Sequence, residues 1–399
     1  MSMAIATGAD VATTASLALA SLPLFTFAYA YAIYPASLWV LARTFGRRQR
    51  SHRFVDWPRI TITLPVYNEE RALRSSLEHV LALDYPPDRR HVLVISDAST
   101  DGTDAIAREF AARGVELVRL PRRGGKTAAE NAAALHLRGD IVVNIDATAR
   151  PAPGALKRLI GAFADPGVGV ASGRDVSTGS GTLDVNSGES RYVEYEMWVR
   201  GLETRLGSIV GASGCFYAMR ATLYQAQFPE ALSRDFASAL IAREHGLRAV
   251  SVEEAVCGVP RAGSLDAEFH RKVRTMHRGL ETLWYKRSLL NPRVHGRFAF
   301  MLFSHKLCRW LVSLTLPLGA VGLLLLAAIW VGAAWFLLAS IVVFGVSAMA
   351  RSRRNASHLA RTLALPSYLI MANAAGFLAW LYAFRRQREA MWEPTRRPV

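Results

Sequence analysis

Cysteine is scarce: Cys215, Cys257 and Cys308 are the only three in 399 residues. They are scattered and odd in number, which speaks against a disulfide framework and against a cysteine zinc site. Internal repeats, low-complexity tracts and long linkers are missing too. Charge is missing from three long runs, Ala15 to Ala42, Leu311 to Ala350 and Thr362 to Phe384. The first and third are of bilayer-spanning length, about 20 residues, and the second suffices for two spans with a turn near Val331 and Gly332. The first run contains a small-residue pattern, AYAYA, but residues 1–10 lack the basic region of a cleaved signal peptide, so it reads as an anchor.

What is present is apolar side chains, on 51% of residues, and a formal net charge of +16. Basic residues crowd the ends of the apolar runs, as RTFGRRQR, RSRRNASHLAR and RRQR, rather than alternating with aromatics as in a nucleic-acid binder. Such flanks suit the cytoplasmic face of a membrane and its anionic lipids. The expected organisation is an anchor over 1–42, a cytoplasmic domain over 43–295, an interface segment over 296–310, a membrane region over 311–384 and a basic tail over 385–399. The expectation is a multi-pass inner-membrane protein with membrane lipids, and no nucleic acid, as partners. The tail conflicts with the charge rule: if Thr362 to Phe384 crosses, the basic carboxyl terminus lies outside. Either that segment is re-entrant or one span is miscounted.

Between Arg59 and Gly173, β-branched runs (ITITLP, HVLVIS, VELVRL, DIVVNID, VGVASG) alternate with helical patterns. Wholly apolar strands joined by helices imply an α/β, doubly wound, mainly parallel sheet covered on both faces. Ligands then bind beyond the carboxyl ends of the strands. PVYNEE, Asp97 and Asp146 fall there, although an aspartate at such a position also serves as a helix cap or Asx turn. In DASTDGT, Asp101 and Gly102 read as a structural turn.

The stretch LPRRGGKTAAEN invites comparison with a phosphate-binding P-loop. That pattern needs glycine where Leu120 stands, and the loop follows the third strand rather than the first. A nucleotide-hydrolysing machine is thereby disfavoured. Lys126 is left as a basic residue on a glycine-flexible loop near an acidic crevice, or as part of a solvated helix start.

PVYNEE, SDASTDGT, RGGKTAAEN, IDAT, GASGCFYAMR and LSRDFASALIAREHGLRAV, in that order from Ile60 to Trp310, resemble the membrane-bound family-2 inverting glycosyltransferases of GT-A fold. That family includes cellulose, chitin and hyaluronan synthases. The resemblance implies a nucleotide-sugar donor, most simply a UDP-sugar, a divalent Mg2+ or Mn2+, and a lipid-linked or growing saccharide acceptor. It places Pro65, Tyr67 and Glu69 along the nucleoside pocket, Asp97 at the uracil edge and Lys126 beside the diphosphate. Asp146 would hold the ribose and metal side of the donor as first carboxylate of a DxD motif. Gly211 to Gly214 would shape the acceptor opening, and Asp235 would be the catalytic base. A cation near the diphosphate stabilises charge as it develops on the leaving group.

The departures from the family pattern are specific. DxD is Asp146-Ala147-Thr148, so the second metal ligand would be the Thr148 hydroxyl. Arg234 replaces the acid that usually precedes the base. The QxxRW motif of processive synthases is absent, which puts long-polymer synthesis in doubt. An alternative reading is a catalytically weakened nucleotide-sugar fold acting in membrane polysaccharide assembly or transport. Arg271, Arg274 and Arg278 share a helical face suited to diphosphate or lipid headgroups. SHKLCRWL reads as an interface helix and topological anchor. Glu189, Glu196 and Glu203, at heptad spacing, read as the solvated or cleft-facing side of a helix.

Overall fold

The computed structural model describes residues 8–46, 54–178, 187–225, 227–260, 265–352 and 364–386. Much of the basic flanks, at 47–50, 353–361 and 387–388, and the tail from 387 lie outside the described residues, as does the Glu189 side chain.

One sheet organises the soluble part. Its strands are β1 (Ile60–Val66), β2 (Arg90–Ser96), β3 (Val115–Arg119), β4 (Ile141–Ile145), β5 (Arg150–Pro151), β6 (Val168–Thr178), β7 (Phe216–Arg220) and β8 (Arg248–Pro260), in the spatial order β3-β2-β1-β4-β7-β6-β8-β5. β1 pairs in parallel with β2 and β4, and β2 with β3. β7 runs antiparallel between β4 and β6, while β6 and β8 are parallel. The unbroken parallel order suggested by the strand-helix alternation therefore stops at β4. Beyond it, β7 is reached by a long helix and the loop GASG rather than by a crossover, so it enters from the carboxyl edge of the sheet.

The helices are α1 (Gly8–Ala28), α2 (Tyr34–Phe45), α3 (Glu70–Ala82), α4 (Thr103–Glu109), α5 (Lys126–Ala133), α6 (Ala155–Gly161) and α7 (Ser187–Leu206). They continue with α8 (Arg234–Glu244), α9 (Leu265–Tyr285), α10 (Pro292–His295), α11 (Arg297–Leu302), α12 (Arg309–Ala327), α13 (Val331–Ser352) and α14 (Ala364–Phe384). Side-chain alternation shows why the sheet is covered twice. Val92 and Val94 join the cluster under α3, α4 and α6, whereas Leu93 and Ile95 pack on Ala129 and Ala133 of α5. In α3 the buried positions Ala72, Leu73, Ser76, Leu77 and Val80 follow the helical period, so one face docks on the sheet. All seven residues of β1 are buried.

Two helical stretches, Asp10–Phe45 and Arg297–Ala327, are long and apolar enough to cross a membrane. Each is interrupted by one π-helical segment, Tyr29–Ile33 and Phe303–Cys308. α12 ends at Ala327 and α13 starts at Val331, close to the expected turn. α14 lies against α9 and α7.

Candidate active site

The strand order reverses between β1 and β4, and the chain leaves both strands at the same edge. This is the switch point at which open α/β sheets bind ligands. Tyr67 follows β1, Asp97 follows β2 and Asp146 follows β4. Asn68 and Ala98, one residue beyond the first two, have φ of 51° and 56°. A left-handed alanine is costly and is held only where surroundings impose it. Here they do: the Asp97 N–H donates to the Val66 carbonyl at 2.9 Å, and the Thr100 N–H to the Asn68 side-chain oxygen at 2.8 Å.

Asp97 is fully buried. Its two carboxylate oxygens accept the N–H groups of Gly124 and Gly125 at 2.7 and 2.8 Å. Gly125 has a φ of 86°, a conformation that favours glycine, so the glycine pair is what lets this loop fold onto Asp97. The next residue is Lys126, the first of α5. Asp97 thus fixes the loop that delivers the lysine. Arg123, on the same loop, lies 3.9 Å over the Tyr67 ring, a cation–π contact joining the two sides of the expected nucleoside pocket. Pro65 is buried within β1, opposite Ile95, and the Glu69 N–H donates to Thr103 Oγ1 at 2.8 Å. Asp101 takes the Glu70 and Thr103 N–H groups, tying α3 to α4, as a structural turn should.

Lys126 Nζ donates to Asp146 Oδ1 at 2.6 Å and to the Gly214 carbonyl at 2.9 Å. Burial pushes the ammonium down, but Asp146, Glu130 and Asp235 outweigh it and hold its pKa above the ordinary lysine value. Gly214 also faces the proposed base. A Cβ built on it would stand 2.6 Å from Asp235 Oδ2, so only glycine lets the GASG loop approach this carboxylate. Asp235, in the first turn of α8, receives the Ser233 hydroxyl and the Phe236 N–H (2.9 Å) on Oδ1. A partly buried cation and a carboxylate therefore flank one residue, Gly214.

The helices bearing those two groups are knitted together. Thr127 Oγ1 donates to the Leu232 carbonyl at 2.9 Å, and Asn131 Nδ2 to the Phe228 carbonyl at 2.8 Å. Arg234 is buried against Tyr224 and Phe228, donates to Asn131 Oδ1, and faces Glu130 at 3.6 Å. Burial pushes the Glu130 carboxyl up, outweighing Lys126 and Arg234. KTAAEN is consequently not a solvated helix start, since Thr127 to Glu130 are buried. The unusual Arg234 has its acid on another helix. No local sequence signal announces Glu130, because the two residues are 104 positions apart.

Two further expectations are corrected. Arg278 does not present its guanidinium to ligand; it donates to Thr127 Oγ1 and the carbonyls of Glu230 and Leu232, bracing the loop before α8. Arg271 on the same face is paired with Glu268. Glu196 and Glu203 are buried rather than solvated, because His305 and Arg309 reach them from the helical stretch Arg297–Ala327. SHKLCRWL accordingly turns His305, Lys306 and Arg309 toward the carboxylates of α7.

Among the described residues no group of three or more His, Cys, Asp or Glu is placed to hold a metal. At the DxD position the donor set is one carboxylate, Asp146, already bonded to an ammonium, and the Thr148 hydroxyl. Arg150, two residues on, donates to the Ala147 and Ala149 carbonyls of the same loop. Such a set fits a hard divalent ion only if most ligands come from phosphate and water.

Residues 61–228 match a family model described as Glycosyl transferase family 2. The beta-monoglucosyldiacylglycerol synthase of Synechocystis sp. is 33% identical over 120 residues, covering 29% of this chain and 25% of that protein. An N-acetylglucosaminyltransferase of Mesorhizobium japonicum is 26% identical over 238 residues, 55% of each. The chain spans about half or less of the length of these curated relatives. A solved mannosyltransferase of Pyrobaculum calidifontis, in complex with GDP-Man and Mn2+, superposes with a TM-score of 0.71 at 22% identity, over 94% of this chain and 99% of that one. Likeness at that identity establishes the fold, which is GT-A.

Proposed function

We propose that this chain, whose residues 61–228 match Glycosyl transferase family 2 on a GT-A fold, transfers a sugar, with inversion, from a nucleotide sugar to a lipid-linked or growing saccharide acceptor. The observation that carries the reading is the placement of Lys126 and Asp235 on either side of Gly214, at the switch point of the sheet. An inverting displacement needs a cation where the diphosphate departs and a base where the hydroxyl attacks. In the proposed step the acceptor hydroxyl gives its proton to Asp235 and its oxygen bonds to the sugar C1. The bond from C1 to the phosphate oxygen breaks, and its electron pair leaves with the nucleoside diphosphate beside Lys126.

Pro65, Tyr67 and Glu69 are assigned to the nucleoside side, with Asp97 holding the loop that closes it. Asp146, with Thr148 beside it, would hold an Mg2+ or Mn2+ that arrives on the donor. Such an ion would neutralise charge on the departing diphosphate. The apolar helices support placement in the inner membrane, as a multi-pass protein with the sheet domain in the cytoplasm.

The donor is proposed as a UDP-sugar. Incubating the purified full chain in detergent with radiolabelled UDP-sugars and GDP-mannose, and following nucleotide release, tests this. Release of UDP from one member of the panel is the expected result; no release from any donor, with lipid extract supplied, sinks the assignment. The metal role has its own test. Thr148→Asp restores a second carboxylate and should tighten Mn2+ binding about tenfold, read by the Mn2+ spin-resonance signal without turnover. An unchanged affinity would remove Thr148 from the metal's surroundings.

A further inference from the structure

Where the segment Phe303–Cys308 and the start of α12 meet α7, a group of charged side chains is buried without balance. The Glu196 carboxylate is faced by four basic groups: Arg200 Nε at 3.2 Å, His305 Nε2 at 3.0 Å, Lys306 Nζ at 3.7 Å and Arg309 Nη1 at 2.5 Å. The second carboxylate, Glu203, accepts His305 Nδ1 and the Tyr34 hydroxyl, each at 2.6 Å. Both ring nitrogens of His305 thus abut carboxylate oxygens, which only accept. Leaving His305 aside, three basic side chains, Arg200, Lys306 and Arg309, still oppose two carboxylates.

Glu196, Arg200, Glu203, His305 and Arg309 are all less than 9% exposed. Among the described residues, Arg200 Nη1 and Arg309 Nε and Nη2 are buried donors with no acceptor, against one orphan acceptor in this group, Glu203 Oε2. The Tyr31 and Tyr195 rings lie 5.3 Å from the Arg309 guanidinium and soften its charge, but they do not supply an anion. Uncompensated buried charge and unmet donors are both costly. The arrangement is that of a site whose missing member is negative.

Its position relates it to the reaction. Lys306 is the member that reaches the acceptor loop: a Cβ built on Gly211 would stand 3.6 Å from Nζ and 3.0 Å from the Phe236 ring, which follows Asp235. Gly214, at the other end of GASG, faces Asp235 itself. Three residues of chain span at most about 10 Å. A hydroxyl presented to Asp235 would therefore have an anion site within one sugar or one polar headgroup of it, at the level where α12 begins its apolar run.

We propose that Lys306, with Arg309 and Arg200 behind it, binds the phosphate of a lipid acceptor whose hydroxyl-bearing head lies at Asp235. This rests on the glycosyltransferase reading and narrows its acceptor to a phosphoester lipid rather than a neutral glycan.

The test uses the full chain in phosphatidylcholine nanodiscs titrated with dodecyl phosphate, with dodecanol as the uncharged control, and separately with UDP. Dodecyl phosphate should bind and dodecanol should not. Lys306→Met should weaken the phosphate at least tenfold, and Lys306→Arg should keep it within about threefold while UDP affinity stays at the parent value in both. Equal binding of phosphate and alcohol, or a Lys306→Met affinity within twofold of the parent, overturns the site. If Lys306→Met fails to fold, Arg200→Gln should also weaken the phosphate, and an unchanged affinity there overturns it equally. Adding phosphatidylglycerol separates the two sources of lipid phosphate. Its displacing dodecyl phosphate would assign the site to bulk headgroups and overturn the acceptor claim; no displacement supports it. Failure of the parent to bind any nucleotide would instead defeat the glycosyltransferase reading, because phosphate binding at Lys306 is measured without donor.

Discussion

Asp235→Asn lowers sugar transfer by about 10² to 10⁴-fold, the contribution of a positioned general base, while nucleotide affinity remains near that of the parent. The asparagine keeps the size of the side chain and can still accept the Ser233 hydroxyl and the Phe236 N–H that orient it. What it loses is the capacity to take a proton at the oxygen facing Gly214. Turnover and UDP affinity should be measured on the same preparation. A loss of less than about tenfold in turnover would remove Asp235 from the role of base, and a parallel loss in UDP affinity would place it on the donor side.

Lys126→Met should reduce turnover by about 10² to 10³-fold, the order seen when one preorganised group stabilising a transition-state charge is removed. Unlike the change at Asp235, it should also weaken UDP. Uridine should be unaffected, because the ammonium is expected beside the phosphates and not the base. Lys126→Arg is the useful control: it retains charge but alters reach to Asp146 and the Gly214 carbonyl, so it should recover UDP binding better than turnover. Equal losses for UDP and uridine would mean that Lys126 acts on the pocket as a whole rather than on the diphosphate.

The parallel half of the sheet is legible in the sequence because β1 to β4 are runs of β-branched and apolar residues punctuated by helices, a periodic signal that needs no partner to be read. The antiparallel β7 is five residues long and follows a glycine loop, so its pairing depends on what α7 does beforehand. The same distinction runs through the site. Asp97, Lys126 and Asp146 stand out by position, at strand ends or on a glycine loop. Their actual partners do not. That Asp97 would spend both oxygens on Gly124 and Gly125 depends on a loop closing onto it from beyond the third strand. Glu196 and Glu203 look like a solvated helical face because the histidine and arginine that bury them arrive more than 100 residues later. Charge patterning within one helix is local information, whereas charge pairing in a core is not.

The buried couple of Arg234 and Glu130 bears on how this sequence is free to change. Losing one member of a buried ion pair strands the other, at a cost of about 3–5 kcal/mol, whereas exchanging both for well-packed apolar residues is often neutral. Arg234 adjoins the proposed base and Glu130 lies one helical turn from Lys126. Neither position can change by itself without passing through a destabilised intermediate. The two codons are thereby coupled, and the pair is kept or exchanged as a whole.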